Sequence, residues 1–121
     1  MDPKISLKKA DNALKTTIFK WSKNYDKALH YYQEAVDVFK FQKDYLMAIE
    51  SNKKLVKVYI KLNDNFGICK TYISILNCIF LNEGTNVSKE SLILLIDESI
   101  NYFFIEKSMN TLFSTINQIC K

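Results

Sequence analysis

The chain has 121 residues, of which 48% are hydrophobic and 25% charged, enough apolar content for one modest core and too much for a disordered chain. It holds only two glycines and one proline, Pro3, so the turn residues that a sandwich or barrel needs every ten positions are missing, and long helices are expected. Residues 1–61 carry a balance of +6 and residues 62–121 a balance of −2; every basic residue is lysine, which excludes sites built on bidentate arginine forks.

In chain order, Ile5 to Ile18 forms a first helix, with Leu7, Ala10, Ala13, Leu14 and Ile18 as apolar positions. From Tyr25 the apolar residues Ala28, Tyr31 or Tyr32, Ala35, Val38 and Phe39 recur at three and four, predicting an amphipathic helix over about 25–42. Asp44 is a plausible N-cap for the next, which runs through Ala48, Leu55, Tyr59 and Leu62 with Lys53, Lys54, Lys57 and Lys61 on its wet side. A further helix opens after Asp64 or Asn65 and stops at Glu83-Gly84. It is apolar around most of its girth, so it should lie between neighbours. Two more follow, one from near Ser88 through Leu92, Leu95, Ile96, Ile100 and Phe103, and a last one from Lys107 to Ile119.

Three of these starts share a signature: "NYDKA" at Asn24, "DYLMA" at Asp44 and "NFGIC" at Asn65. A polar residue caps, a ring packs on the adjoining helix, and a small residue lets backbones approach. Repeated antiparallel helices make an α-solenoid, a right-handed superhelical array of helical hairpins with about six helices in a single domain over 1–121. A tetratricopeptide hairpin takes about 34 residues, whereas two of these units take 41, so the array should be tetratricopeptide-like without obeying that consensus.

Little in the chain converges as catalytic groups do. His30 falls on a polar helix face, Asp97 and Glu98 are adjacent and point about 100° apart, and no metal spacing, phosphate loop or nucleophile motif occurs. The expectation is a non-enzyme with no cofactor and no metal. Cys69, Cys78 and Cys120 are an odd set; Cys69 and Cys78 lie out of phase on one helix, so reduced thiols in a cytoplasmic protein are expected. The sequence starts without an apolar leader, and its longest apolar run, Leu92 to Ile96, falls short of the roughly twenty residues that span a bilayer. Asn86-Val87-Ser88 fits a glycosylation sequon but reads as a loop before a helix.

The stretch "KADNALKTTIFKWSKNYDKALHYYQEAVDVFK" from Lys9 resembles the N-terminus of the soluble NSF attachment proteins (SNAPs), most of all the gamma type. The likeness is carried by Lys9-Ala10, Leu14-Lys15-Thr16, Phe19-Lys20-Trp21, Tyr25-Asp26, Ala28, Tyr32, Ala35-Val36 and Phe39-Lys40, and departs at Lys23-Asn24, where the family has Pro-Asp. It implies an adaptor without activity of its own, in vesicle trafficking, that lies along the SNARE bundle and recruits the NSF ATPase for disassembly. The 121 residues would correspond to the family's N-terminal portion only, retaining membrane and part of SNARE contact but not ATPase stimulation. The implied membrane contact is Ile18, Phe19, Lys20, Trp21 and Lys23, where rings and lysines alternate as they do at anionic headgroups, making the protein peripherally membrane-associated. Packing of Phe19 and Trp21 onto the second helix is the other reading. For the acidic SNARE complex, Lys40 and Lys43 match the family's pattern, while Lys53, Lys57 and Lys61 form a stripe at four-residue spacing. An uncapped last helix, through Phe113, Ile116 and Ile119, would favour self-association unless these residues pack inward. The alternative is a generic tetratricopeptide-like scaffold for protein–protein interaction unrelated to fusion; nucleic acid is not expected, because no base-reading pair recurs at the unit spacing.

Overall fold

The computed structural model describes residues 2–15, 24–83 and 89–119. These form six helices: α1 (Pro3–Ala13), α2 (Tyr25–Phe41), α3 (Tyr45–Lys61), α4 (Asn65–Glu83), α5 (Lys89–Ile105) and α6 (Met109–Ile119). The first four starts have a local cause. Asp2 accepts a hydrogen bond from the Lys4 N–H at 2.9 Å, and Pro3 occupies the first turn, where its missing N–H costs nothing. Side-chain oxygens of Asn24, Asp44 and Asp64 accept from the N–H three residues on (Lys27, Met47 and Gly67) at 3.0, 3.3 and 3.0 Å.

The caps lie twenty residues apart, at 24, 44 and 64, which corrects the third copy of the signature by one position. Asp64 caps α4, not Asn65. Ile68 therefore takes the buried place held by Ala28 and Ala48, and Phe66 is 66% exposed instead of packing on a neighbour. Close approach is provided by Gly67, whose missing side chain leaves room for the Tyr59 ring on α3.

The first helix also ends earlier than its apolar pattern suggests, at Ala13 instead of Ile18. The Ala13 carbonyl, which a continuing helix would use internally, accepts instead from the Asn24 N–H at 2.8 Å, tying the end of α1 to the cap of α2.

The connections α2–α3, α3–α4 and α5–α6 are one turn used three times. Lys43, Asn63 and Lys107 have φ of 60°, 54° and 57°. After each, the next N–H (Asp44, Asp64, Ser108) reaches back five residues to the Phe39, Tyr59 and Phe103 carbonyls at 2.9, 3.0 and 2.9 Å. The left-handed residue itself donates three residues back, to Lys40, Ile60 and Phe104. This Schellman pattern satisfies the orphan carbonyls of one helix, and at Asp44 and Asp64 the cap of the next follows at once, so successive helices fold back on each other.

Packing follows chain order. Ala10 and Ala13 of α1, Ala28 and Tyr32 of α2, and Leu55 and Val58 of α3 make one cluster; Ala35 and Phe39 meet Ala48 and Cys78 in a second. The largest gathers Ile68, Tyr72, Ile75, Leu76 and Ile79 of α4 with Val56, Leu92, Phe103, Leu112 and Ile119, so α4 is flanked by α3 on one side and by α5 and α6 on the other. Its all-round apolarity has that cause. Several polar groups inside are satisfied within their own helix or by the next one. The hydroxyls of Ser51, Thr71, Ser99 and Thr115 donate to carbonyls one turn back, and Asn52, 1% exposed, donates to the Ser74 hydroxyl at 3.0 Å. The buried Tyr32 hydroxyl donates to Asp11, whose carboxylate also meets the Lys54 ammonium at 3.4 Å, joining α1, α2 and α3. The described chain is thus an all-α array of antiparallel helical hairpins.

A candidate docking groove and its lysine edge

Three helix faces converge on a groove of about 620 Å³. Leu46, Ile49, Lys53, Val56, Lys57 and Ile60 recur along α3 at intervals of three and four, and so form one continuous wall. Tyr72, Ile75 and Ile79 of α4 make the floor, and Ser91, Leu94, Leu95 and Glu98 of α5 form the opposite wall. The floor is buried, whereas Leu46 and Leu94 are 63% and 64% exposed at the rim. Large aliphatic side chains left in water on both sides of an apolar floor are what a docking surface needs and a closed core does not.

Charge is divided between the walls. Lys53 and Lys57 stand exposed on α3, and Lys61 continues their stripe to the end of that helix. Across from them, Glu98 lies close to the Tyr72 phenol. Burial first, and the Glu98 charge second, push that phenol up to about 12. Tyr72 is held further by stacking on Tyr102, with ring centroids 6.5 Å apart.

The two lysine sets, either of which is expected to steer an acidic partner, lie in different places. Lys40 is half-buried in the last turn of α2, and Lys43 is exposed in the left-handed turn that precedes α3. Lys61 ends α3, so Lys43 and Lys61 are about 27 Å apart along the helix at 1.5 Å per residue. Only Lys53 and Lys57 line the groove. Lys54, on the adjoining stripe, turns instead to Asp11. The sequence reading missed Leu46, Ile49, Ile60 and Leu94; their signal was there, because Leu46, Ile49 and Ile60 share a helical face with Lys53 and Lys57.

Ile18, Phe19, Lys20, Trp21 and Lys23 lie outside the described residues. On α6, Ile119 is buried and Ile116 packs against the main cluster, which removes both from an external face and leaves Phe113, 53% exposed. A second hollow, of about 520 Å³, lies along α2, where His30, Gln33, Glu34 and Asp37 face Tyr59. His30 is exposed there with its ring edge-on to Tyr31, and Gln33 donates to Asp37 at 3.0 Å.

Among the described residues no three of His, Cys, Asp and Glu gather as a metal site, and no helix is long and apolar enough to cross a membrane. Cys69 and Cys78 are buried free thiols, both pushed up chiefly by burial. Fold and groove together define an all-α array of helical hairpins with an open apolar groove. Compared with known proteins, the chain matches no family model and no curated protein.

Proposed function

We propose that this protein is a docking adaptor. Its finer reading is a SNAP-like adaptor in vesicle trafficking that binds the SNARE complex and an anionic membrane surface and helps recruit the NSF ATPase. The observation that carries docking is the groove between α3 and α5, whose exposed apolar rim and lysines, without an ion-pair partner among the described residues, offer area and charge. The trafficking reading rests on the resemblance over residues 9–40. Lys53, Lys57 and Lys61 supply a positive edge for an acidic bundle, and Lys20 and Lys23 beside Phe19 and Trp21 suit a headgroup surface. A generic tetratricopeptide-like scaffold is favoured by the groove itself, because aliphatic walls accept a single peptide as readily as a bundle.

The test is capture of an assembled four-helix SNARE bundle, compared with capture of a peptide ending in a free carboxylate. The adaptor reading expects bundle retention at low salt that fades as ionic strength rises, and its loss in the Lys53→Glu, Lys57→Glu, Lys61→Glu variant. Retention of the carboxylate peptide alone would move the protein to the generic class. Trp21 fluorescence with and without anionic vesicles tests the membrane arm, which expects a blue shift only when vesicles are present.

A further inference from the structure

The walls of the α3–α5 groove differ in sign, and that asymmetry specifies an occupant. The stripe from Leu46 to Ile60 is about 21 Å long at 1.5 Å per residue, the span of a helix of about fourteen residues. Groove backbones are already bonded within their own helices, and the walls are mainly aliphatic. An extended peptide laid there would bury N–H and C=O groups without partners, whereas a helix satisfies its own. Among the described residues neither Lys53 nor Lys57 has an ion-pair partner, and Glu98 stands on the opposite wall.

We infer that the groove binds one amphipathic helix from a partner protein, its apolar stripe seated on Val56, Tyr72 and Ile75, an acidic flank against Lys53 and Lys57, and a basic residue toward Glu98. This deepens the docking reading and rests on it, but does not require the partner to be a SNARE bundle. Opposite charges on the two walls fix the orientation: the same helix rotated end for end would place its acids beside Glu98 and its base beside the lysines.

The experiment uses two fluorescein-labelled 16-residue helical peptides and the whole chain. Both peptides carry leucines at helical spacing. The first has glutamates on one flank and a lysine on the other; the second has lysines on both flanks, so that neither orientation can match the α3 wall. Anisotropy should show the first binding about tenfold or more tighter than the second, with Lys53→Glu combined with Lys57→Glu reversing the preference. Leu94→Ser should weaken both by about tenfold while leaving the thermal unfolding midpoint in place, since the side chain is mostly exposed. Equal binding of the two peptides, or indifference to Leu94→Ser, overturns the inference. So does a dimer in sedimentation that Leu94→Ser dissociates, because a second copy would then fill the groove. Loss of SNARE-bundle capture with peptide discrimination intact sinks the trafficking reading alone; bundle capture with no discrimination sinks this inference alone.

Discussion

Replacing Gly67 with alanine tests how closely α3 and α4 are pressed together. A methyl group there would fall within the Tyr59 ring, with the ring's Cγ only 2.8 Å from the new atom and its Cδ1 and Cε1 closer still. The ring cannot simply step aside. It is wedged against two hydrophobic clusters, and the Tyr59 carbonyl is fixed by the Asp64 N–H at 3.0 Å. Forcing a methyl into such a contact costs about 1–3 kcal/mol. Against this, alanine improves helix propensity over glycine by about 1 kcal/mol. Gly67→Ala should therefore destabilise by about 1 kcal/mol, a fall of about 4 °C in Tm for a domain of this size. In a Tyr59→Leu background the obstructing ring is gone, and the same substitution should stabilise by up to about 1 kcal/mol. Urea unfolding followed by circular dichroism on the four proteins of this cycle reads both signs. If Gly67→Ala were stabilising with Tyr59 present, the close approach at this turn would be refuted.

Three further outcomes are expected. Asp11→Ala strips the acceptor from the buried Tyr32 hydroxyl and should cost about 1–3 kcal/mol, while Asp11→Asn, which keeps an acceptor, should cost less; equal urea midpoints for the two would argue against that bond. Lys43→Gly and Lys107→Gly relieve left-handed backbone and should each stabilise by about 0.5–1 kcal/mol, with Asn63→Gly gaining less because asparagine tolerates that region; the gains should add, and a fall in stability at any of the three would contradict the turn assignment. Alkaline pH should weaken the array: the folded Tyr72 phenol holds its proton to about pH 12 while the unfolded one releases it near 10, so a contribution of about 1–3 kcal/mol is complete below 10 and is lost between 10 and 12, as read by tyrosinate absorbance alongside urea midpoints from circular dichroism.

The helices and their order could be read from residue spacing because the caps are local chemistry: Asn24 and Asp44 announce themselves by type and place. The third cap was misread because Asn65-Phe66 imitates Asn24-Tyr25, while Asp64, one residue earlier, holds the bond. The repeated turn was hidden, since it places Lys43, Asn63 and Lys107 where glycine is the usual signal. The early end of α1 could not be seen either, because it depends on a hydrogen bond to Asn24, a contact between distant positions. At the groove, the stripe of lysines on α3 was legible. Its pairing with Leu94 and Glu98 was not, because which face of α5 turns toward α3 is decided by packing on α4.

The hydrogen-bonded turn shared by three connections has a mechanical consequence. Because α1 to α4 each lean mainly on the helix before and after them in sequence, while α6 leans on α4 more than on α5, tension applied to the two ends would meet a row of separate resistances in series, with the more loosely joined α5 and α6 yielding before the α2–α3–α4 stack. Such a chain should lengthen in steps under load and rewind quickly when released, since the partners it must find again lie one or two helices away.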